Sequence, residues 1–142
     1  TAYEIYQCDW SSDVCSSDLR TDEHKLAFEK LLGVPITNWE QHGYNGCFQI
    51  TTANDPQVYH HDLQNWAAMI YLSPNAPIVS GTRLHRSRIN GTMHKDDTNS
   101  QDAFSGGFYD SSKFDTIADA GNLYNRLVIM DAKNFHSDPN PP

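Results

Sequence analysis

The stretch QVYHHDLQNWAAMIYLSPNAP, residues 57–77, decides how the rest of the chain is read. It begins with a β-branched and aromatic run that leads into His60-His61-Asp62. An apolar run, WAAMIYL (66–72), follows, and a proline-rich turn, SPNAP, closes it. Valine, tyrosine and tryptophan favour extended backbone, and the Pro and Asn cluster marks a turn. In a strand, alternate side chains face opposite ways. His60 and Asp62 therefore share one face, while Tyr59 and His61 share the other.

A His and an Asp two residues apart on one face of a strand can chelate one metal ion. By itself the pattern reads equally as a hydrogen-bonded surface pair. A metal reading needs a third ligand from elsewhere. His136 is the best placed, because it follows the strand-like run YNRLVIM (124–130) and a short turn. Two His and one carboxylate on one side of an ion leave the opposite positions open, the arrangement of the non-haem Fe(II) facial triad. The other histidines read otherwise. His24, His42 and His94 sit in polar helix or loop sequence, His61 faces outward or supports the ligands, and His85 is packed or solvated in a strand.

Outward from this centre the chain is strand-rich. CFQIT (47–51), QVYHHD (57–62), WAAMIYL (66–72), GTRLHRS (81–87), YNRLVIM (124–130) and NFHS (134–137) read as short strands. ANDP, SPNAP and INGT separate them, a spacing that suits a sandwich or barrel. TDEHKLAFEKLLG reads as a helix, with Thr21 or Asp22 at its start, Gly33 at its end, and Leu26, Phe28, Leu31 and Leu32 as apolar positions. DSSKFDTIADAG reads as holding a short helix, and the polar stretch 90–107 as a mobile loop, either a lid or a surface insert.

The run NGCFQITTANDPQVYHHDLQNWAAMIYLSPNAPIVSGTRLHRSRINGT, followed by FYD and GNLYNRLVIMDAKNFHS, resembles the Fe(II)/2-oxoglutarate-dependent dioxygenase superfamily. It is most similar to a prolyl-hydroxylase-like branch and covers roughly residues 43–138, with Gly81-Thr82 among its specific parts. The resemblance implies a mainly β domain, a double-stranded β-helix (jelly roll) preceded by the helix. It implies His60, Asp62 and His136 as iron ligands, with 2-oxoglutarate as co-substrate. It places Gln49 and Thr51, on the strand before the His-x-Asp, as contacts to co-substrate or substrate, Thr51 being a departure where the family carries a Tyr. Tyr71 and Arg83 read as packing or salt-bridge residues near the cavity, and Arg126 as structural. The family also supplies an Arg or Lys about ten residues past the distal His to pair with the far carboxylate of 2-oxoglutarate. The sequence ends at Pro142, six residues past His136, and Lys133 and Arg126 are the nearest cations. On this resemblance the fold is incomplete at the C-terminus.

The implied function is an oxygenase that hydroxylates an unidentified small-molecule or peptidyl substrate. Two alternatives stand beside it: a jelly-roll metal- or ligand-binding module without turnover, and a cupin-like metal enzyme that does not use 2-oxoglutarate.

Composition agrees with one domain of 142 residues, with 38% hydrophobic residues to form one core. No apolar run is long enough to span a bilayer. The formal charge is −8, and the first nineteen residues, with four acids and no base, supply half of it. Mild acidity without a basic face argues against nucleic acid as a partner. The opening TAYEIYQCDWSSDVCSSDL fits no element, and its codons can be written as a sequencing-library adapter read in frame. Residues 1–19 therefore read as adapter-derived, and 20–142 as the dioxygenase-like domain. Cys8 and Cys15 then carry no argument, and the lone Cys47 suits a reducing, cytoplasmic setting.

Overall fold

The structure is a computed structural model that describes residues 2–5, 19–41 and 45–139. Seven strands and one helix follow the chain as β1 (Ala2–Ile5), α1 (Asp22–Leu32), β2 (Phe48–Thr51), β3 (Trp66–Ile70), β4 (Thr82–Ser87), β5 (Phe114–Ala120), β6 (Leu127–Asp131) and β7 (His136–Ser137). They form small antiparallel sheets: β1 with β2, β3 with β6, and a three-stranded sheet in the order β5-β4-β7. The result is β-rich with one helix. Among the described residues, no helix is long and apolar enough to cross a membrane.

The helix is where local chemistry puts it. Thr21 Oγ1 accepts from the His24 backbone N–H at 3.2 Å, and Gly33, at φ 71°, sends its own N–H to Glu29 O at 2.9 Å. A side-chain acceptor at the start and a left-handed glycine at the end satisfy backbone groups that helix termini leave open. Its packing is thinner than the apolar positions suggest. Phe28 is the buried residue, set against Trp39 at 6.2 Å between ring centroids, whereas Leu26 and Leu31 are exposed.

The β5-β4-β7 sheet is covered on both faces. Residues directly opposite in an antiparallel pair share a face. Leu84 lies opposite His136, and Leu84 packs on a cluster of Ala67, Met69, Met130 and Ala132 from the β3–β6 side. This is the inner face. Ser87 lies opposite Phe114, and Phe114 packs with Tyr59, Ala103, Phe135 and Phe104 on the outer face.

Two expectations are corrected here. The stretch 110–121 does hold a short helix, but it is one 3-10 turn, Ser111–Lys113, started by Asp110 accepting from Ser112 N–H, and the larger part, residues 114–120, is a strand. The β-branched and aromatic residues Phe114, Thr116 and Ile117 suit an extended partner for β4, and pairing overrode the helical reading. Segment 90–107 is also not a free loop. Ser100 and Ala103 are buried, and Phe104 packs on Phe114 and Phe135, so the segment closes the outer face of the sheet. The run 57–62 forms no named strand and is extended through a single bridge at His60. Cys8, Cys15 and His42 lie outside the described residues.

Gly81 marks a close backbone approach where the chain enters β4. A Cβ there would stand 2.7 Å from Asn122 N and nearer still to Ala120 O, both backbone atoms that cannot move aside. Gly81→Ala is therefore predicted to destabilise the fold by about 2 kcal/mol or more. Urea unfolding midpoints of the two proteins check this; an unchanged midpoint refutes the crowding.

Candidate metal centre

The centre is built on one backbone bridge. His60 N–H donates to His136 O at 3.0 Å, and His136 N–H donates to His60 O at 2.8 Å. The bridge extends the β5-β4-β7 sheet by one position beyond β7. It sets the two imidazoles side by side, ring centroids 4.2 Å apart. Both face inward, on the side that carries Leu84. Asp62, two residues past His60, returns to the same face, held by its N–H to Ala132 O at 2.8 Å. The three side chains converge. Asp62 Oδ1 is 3.9 Å from His60 Nε2, Asp62 Oδ2 is 3.8 Å from His136 Nε2, and one donor atom from each residue lies within 4.8 Å of the others.

The tautomers follow from the hydrogen bonds. His60 Nδ1 is 3.1 Å from Val58 O, and His136 Nδ1 is 2.8 Å from Asn134 O. A carbonyl only accepts, so in each ring Nδ1 carries a hydrogen, and Nε2 is the nitrogen turned toward Asp62. This orientation is the one a metal-ligating histidine needs. Burial, followed by the nearby His60 ring, holds His136 well below the ordinary histidine range, with the Asn134 carbonyl opposing. Its ring is therefore neutral at pH 7.

The donor set fits a divalent transition metal. Donor atoms about 2.0–2.2 Å from a shared ion stand roughly 3–4 Å apart; each imidazole approaches a different carboxylate oxygen at 3.8–3.9 Å, and one donor atom from each residue lies within 4.8 Å of the others. Asp62 and His136 are buried and His60 is half-buried. A buried carboxylate is costly without compensating charge or hydrogen bonds. Gln64 supplies part of that compensation by donating from Nε2 to Asp62 Oδ2 at 3.0 Å. Two imidazoles and one carboxylate occupy one side of an ion and leave coordination positions for other ligands.

Other residues surround the three. His61 packs between Phe104 and Phe135, and burial lowers its pKa. It belongs to the layer behind the ligands. His85, on the same outer face, stacks near Tyr59 and contacts Ser137 Oγ through Nε2 at 2.7 Å; Gln57 donates to that oxygen at 2.8 Å. Tyr71 OH donates to Thr82 Oγ1 at 3.0 Å, and Thr82 Oγ1 donates to Asp138 at 2.8 Å, joining β3, β4 and the chain beyond β7. Desolvation pushes the Asp138 carboxyl up, with the Thr82 hydroxyl and His60 opposing.

The remaining sequence candidates divide. Arg83 pairs with Asp119 at 2.7 Å, Arg126 Nη1 donates to Gly121 O at 2.7 Å, and Lys133 pairs with Asp96 at 3.2 Å, so all three have structural partners. His24 caps α1, and His94 pairs with Asp131. Gln49 and Thr51 lie on β2 beside β1, with Gln49 Oε1 and Thr51 Oγ1 buried and unpartnered, outside the three-residue group. Sequence reasoning missed Gln64, which lies in the bend at 63–65 and turns back to donate to the Asp62 carboxylate. It also missed the Tyr71–Thr82–Asp138 chain, which has no sequence periodicity.

No family model matches the chain, and neither the curated proteins nor the solved structures give a match. The geometry alone therefore carries the assignment, and the described residues contain one group, His60, Asp62 and His136, that could hold a metal ion.

Removing a ligand and removing its support are predicted to differ. His60→Ala and Asp62→Ala abolish high-affinity binding of Co(II), used as a spectroscopic probe. Gln64→Leu weakens it about 10- to 100-fold, as loss of a ligand-orienting hydrogen bond does. Titration followed by visible absorption checks both, and unaltered Co(II) affinity in His60→Ala removes the ligand assignment.

His85 predicts an acid sensitivity. Burial holds its pKa down to about 4, with the Asp115 carbonyl opposing. In the unfolded chain it titrates near 6.5, so between these values the unfolded state binds more protons and stability rises with pH. Full stability is present above pH 6.5 and falls as pH drops toward 4, by on the order of 3 kcal/mol. Metal-free unfolding at pH 7 and 4.5 measures this, and His85→Gln should flatten the dependence; an equal slope in the variant rejects His85 as its source.

Proposed function

We propose that this chain is a non-haem Fe(II) oxygenase domain that uses 2-oxoglutarate to oxidise a small-molecule or peptidyl substrate. One observation carries the reading: two histidines and one buried carboxylate converge beside a sheet's inner face, with one donor atom of each within 4.8 Å of the others and both imidazoles anchored through Nδ1 to backbone carbonyls. When bound there, iron with 2-oxoglutarate and O₂ supplies oxidative chemistry that releases succinate and CO₂ and hydroxylates a substrate C–H. This chain's part is to hold and shield. His60 and His136 bind through Nε2, Asp62 offsets one positive charge, and Gln64 fixes the carboxylate's orientation. The aromatic layer of Tyr59, Phe104, Phe114 and Phe135 behind the ligands keeps water from the rear of the site. The β-rich architecture and paired short strands agree with a double-stranded β-helix.

A second reading, a metal-binding module without turnover, has its own support. The two cations nearest His136 along the chain, Lys133 and Arg126, are engaged with Asp96 and Gly121 O. Neither is placed as a carboxylate clamp for 2-oxoglutarate. The two readings separate in one experiment. Anaerobic titration with Fe(II) and 2-oxoglutarate, then exposure to air, should give Fe(II)-dependent succinate that disappears in Asp62→Ala. Iron bound stoichiometrically without succinate, across a range of added substrates, selects the binding module.

A further inference from the structure

A second site lies on the other side of Gln64. A cavity of about 540 Å³ opens between the end of α1 with its following loop and the β3–β6 sheet. Phe28, Leu32 and Ile36 line one side. Trp66, Ala68 and Ile129 line the other, on the sheet face opposite Met69 and Met130. The volume falls within the range of small-molecule pockets. Among the described residues, none that lines it carries a charge; its polar members are amides, the Thr37 hydroxyl and the Trp39 and Trp66 indoles. An ionic ligand would lose its hydration there without a counter-charge, so the occupant is neutral.

Trp39 adds the second requirement. The residue is more than nine-tenths buried and lines the cavity, and its Nε1 hydrogen has no acceptor. A buried donor in this state gains from any acceptor that reaches it. Gln64 adds the third. It lines the cavity and also donates to Asp62 Oδ2 at 3.0 Å, so an occupant touching Gln64 lies one side chain from the metal centre.

The geometry points to this cavity as a binding site for an uncharged, largely apolar small molecule bearing a hydrogen-bond acceptor, seated beside the metal centre through Gln64. The inference does not depend on which reaction the centre performs. An apolar body fills the space between α1 and the sheet, and a carbonyl or hydroxyl oxygen accepts from Trp39 Nε1.

The test uses matched fluorinated probes followed by ¹⁹F NMR: 4-(4-fluorophenyl)butanamide, its carboxylate analogue, and 1-butyl-4-fluorobenzene, which has no acceptor. The amide should bind and the carboxylate should bind at least about tenfold more weakly. Ala68→Phe, which fills the cavity, should remove amide binding. Trp39→Phe should weaken the amide about three- to tenfold and leave the butylbenzene unchanged. With Mn(II) bound at the centre, shown separately by its own water relaxation, the bound amide's resonance should broaden. No amide binding, equal binding of amide and carboxylate, or full binding by Ala68→Phe overturns the site. Equal loss of both probes in Trp39→Phe overturns the acceptor role, and a sharp resonance with Mn(II) bound overturns the placement beside Gln64.

Discussion

The antiparallel bridge between His60 and His136 is the constraint on which the site depends. Two backbone hydrogen bonds, at 3.0 and 2.8 Å, join residues 76 positions apart in the chain. Directly opposed residues must project to one face, so the bridge alone places both imidazoles together. Everything else refines that placement. The Val58 and Asn134 carbonyls select the tautomer, and the pleat brings Asp62 back to the same side. Gln64, in the bend that follows, donates to the carboxylate and orients it. A slip of one residue at the bridge would send His60 to the opposite face and dismantle the group.

Burying a sheet on both faces is what makes this bridge rigid. The inner face of β5-β4-β7 meets Met69 and Met130 from the other sheet, and its outer face meets an aromatic layer built from distant segments. Phe104 belongs to that layer because segment 90–107 folds over the sheet instead of standing away from it. Tyr59 and His61 alternate with His60 and Asp62, so the same four residues supply ligands inward and packing outward. Polar groups inside are joined into chains, Gln57–Ser137–His85 and Tyr71–Thr82–Asp138, as buried polar groups need partners.

The β2 edge shows a different physics. Its partner is β1, four residues that lie within the segment we read as adapter-derived, and β1 also lies against β3. An open strand edge offers unpaired N–H and C=O groups and accepts an extended segment with little regard for its sequence. Gln49 and Thr51 sit on this strand with buried side-chain oxygens that lack partners.

The chain's sequence by itself determined what depends on short-range chemistry. Thr21 and Gly33 bounded α1, the 60/62 alternation put one His and one Asp on a shared face, and the turn residues separated most of the strands. It could not determine what depends on who meets whom. The TIADA run of β5 has mixed local preference, and only pairing with β4 made it a strand. Leu26 and Leu31 were apolar positions that found nothing to pack against, while Phe28 met Trp39. The sequence put His136 forward as the best-placed third ligand, after a strand and a short turn, but only the bridge to His60 brings the two imidazoles side by side. Periodicity is a property of neighbours along the chain, so it is written in the sequence. Register across a distance of 76 residues is a property of sheet pairing and two-sided burial, and only the tertiary structure decides it.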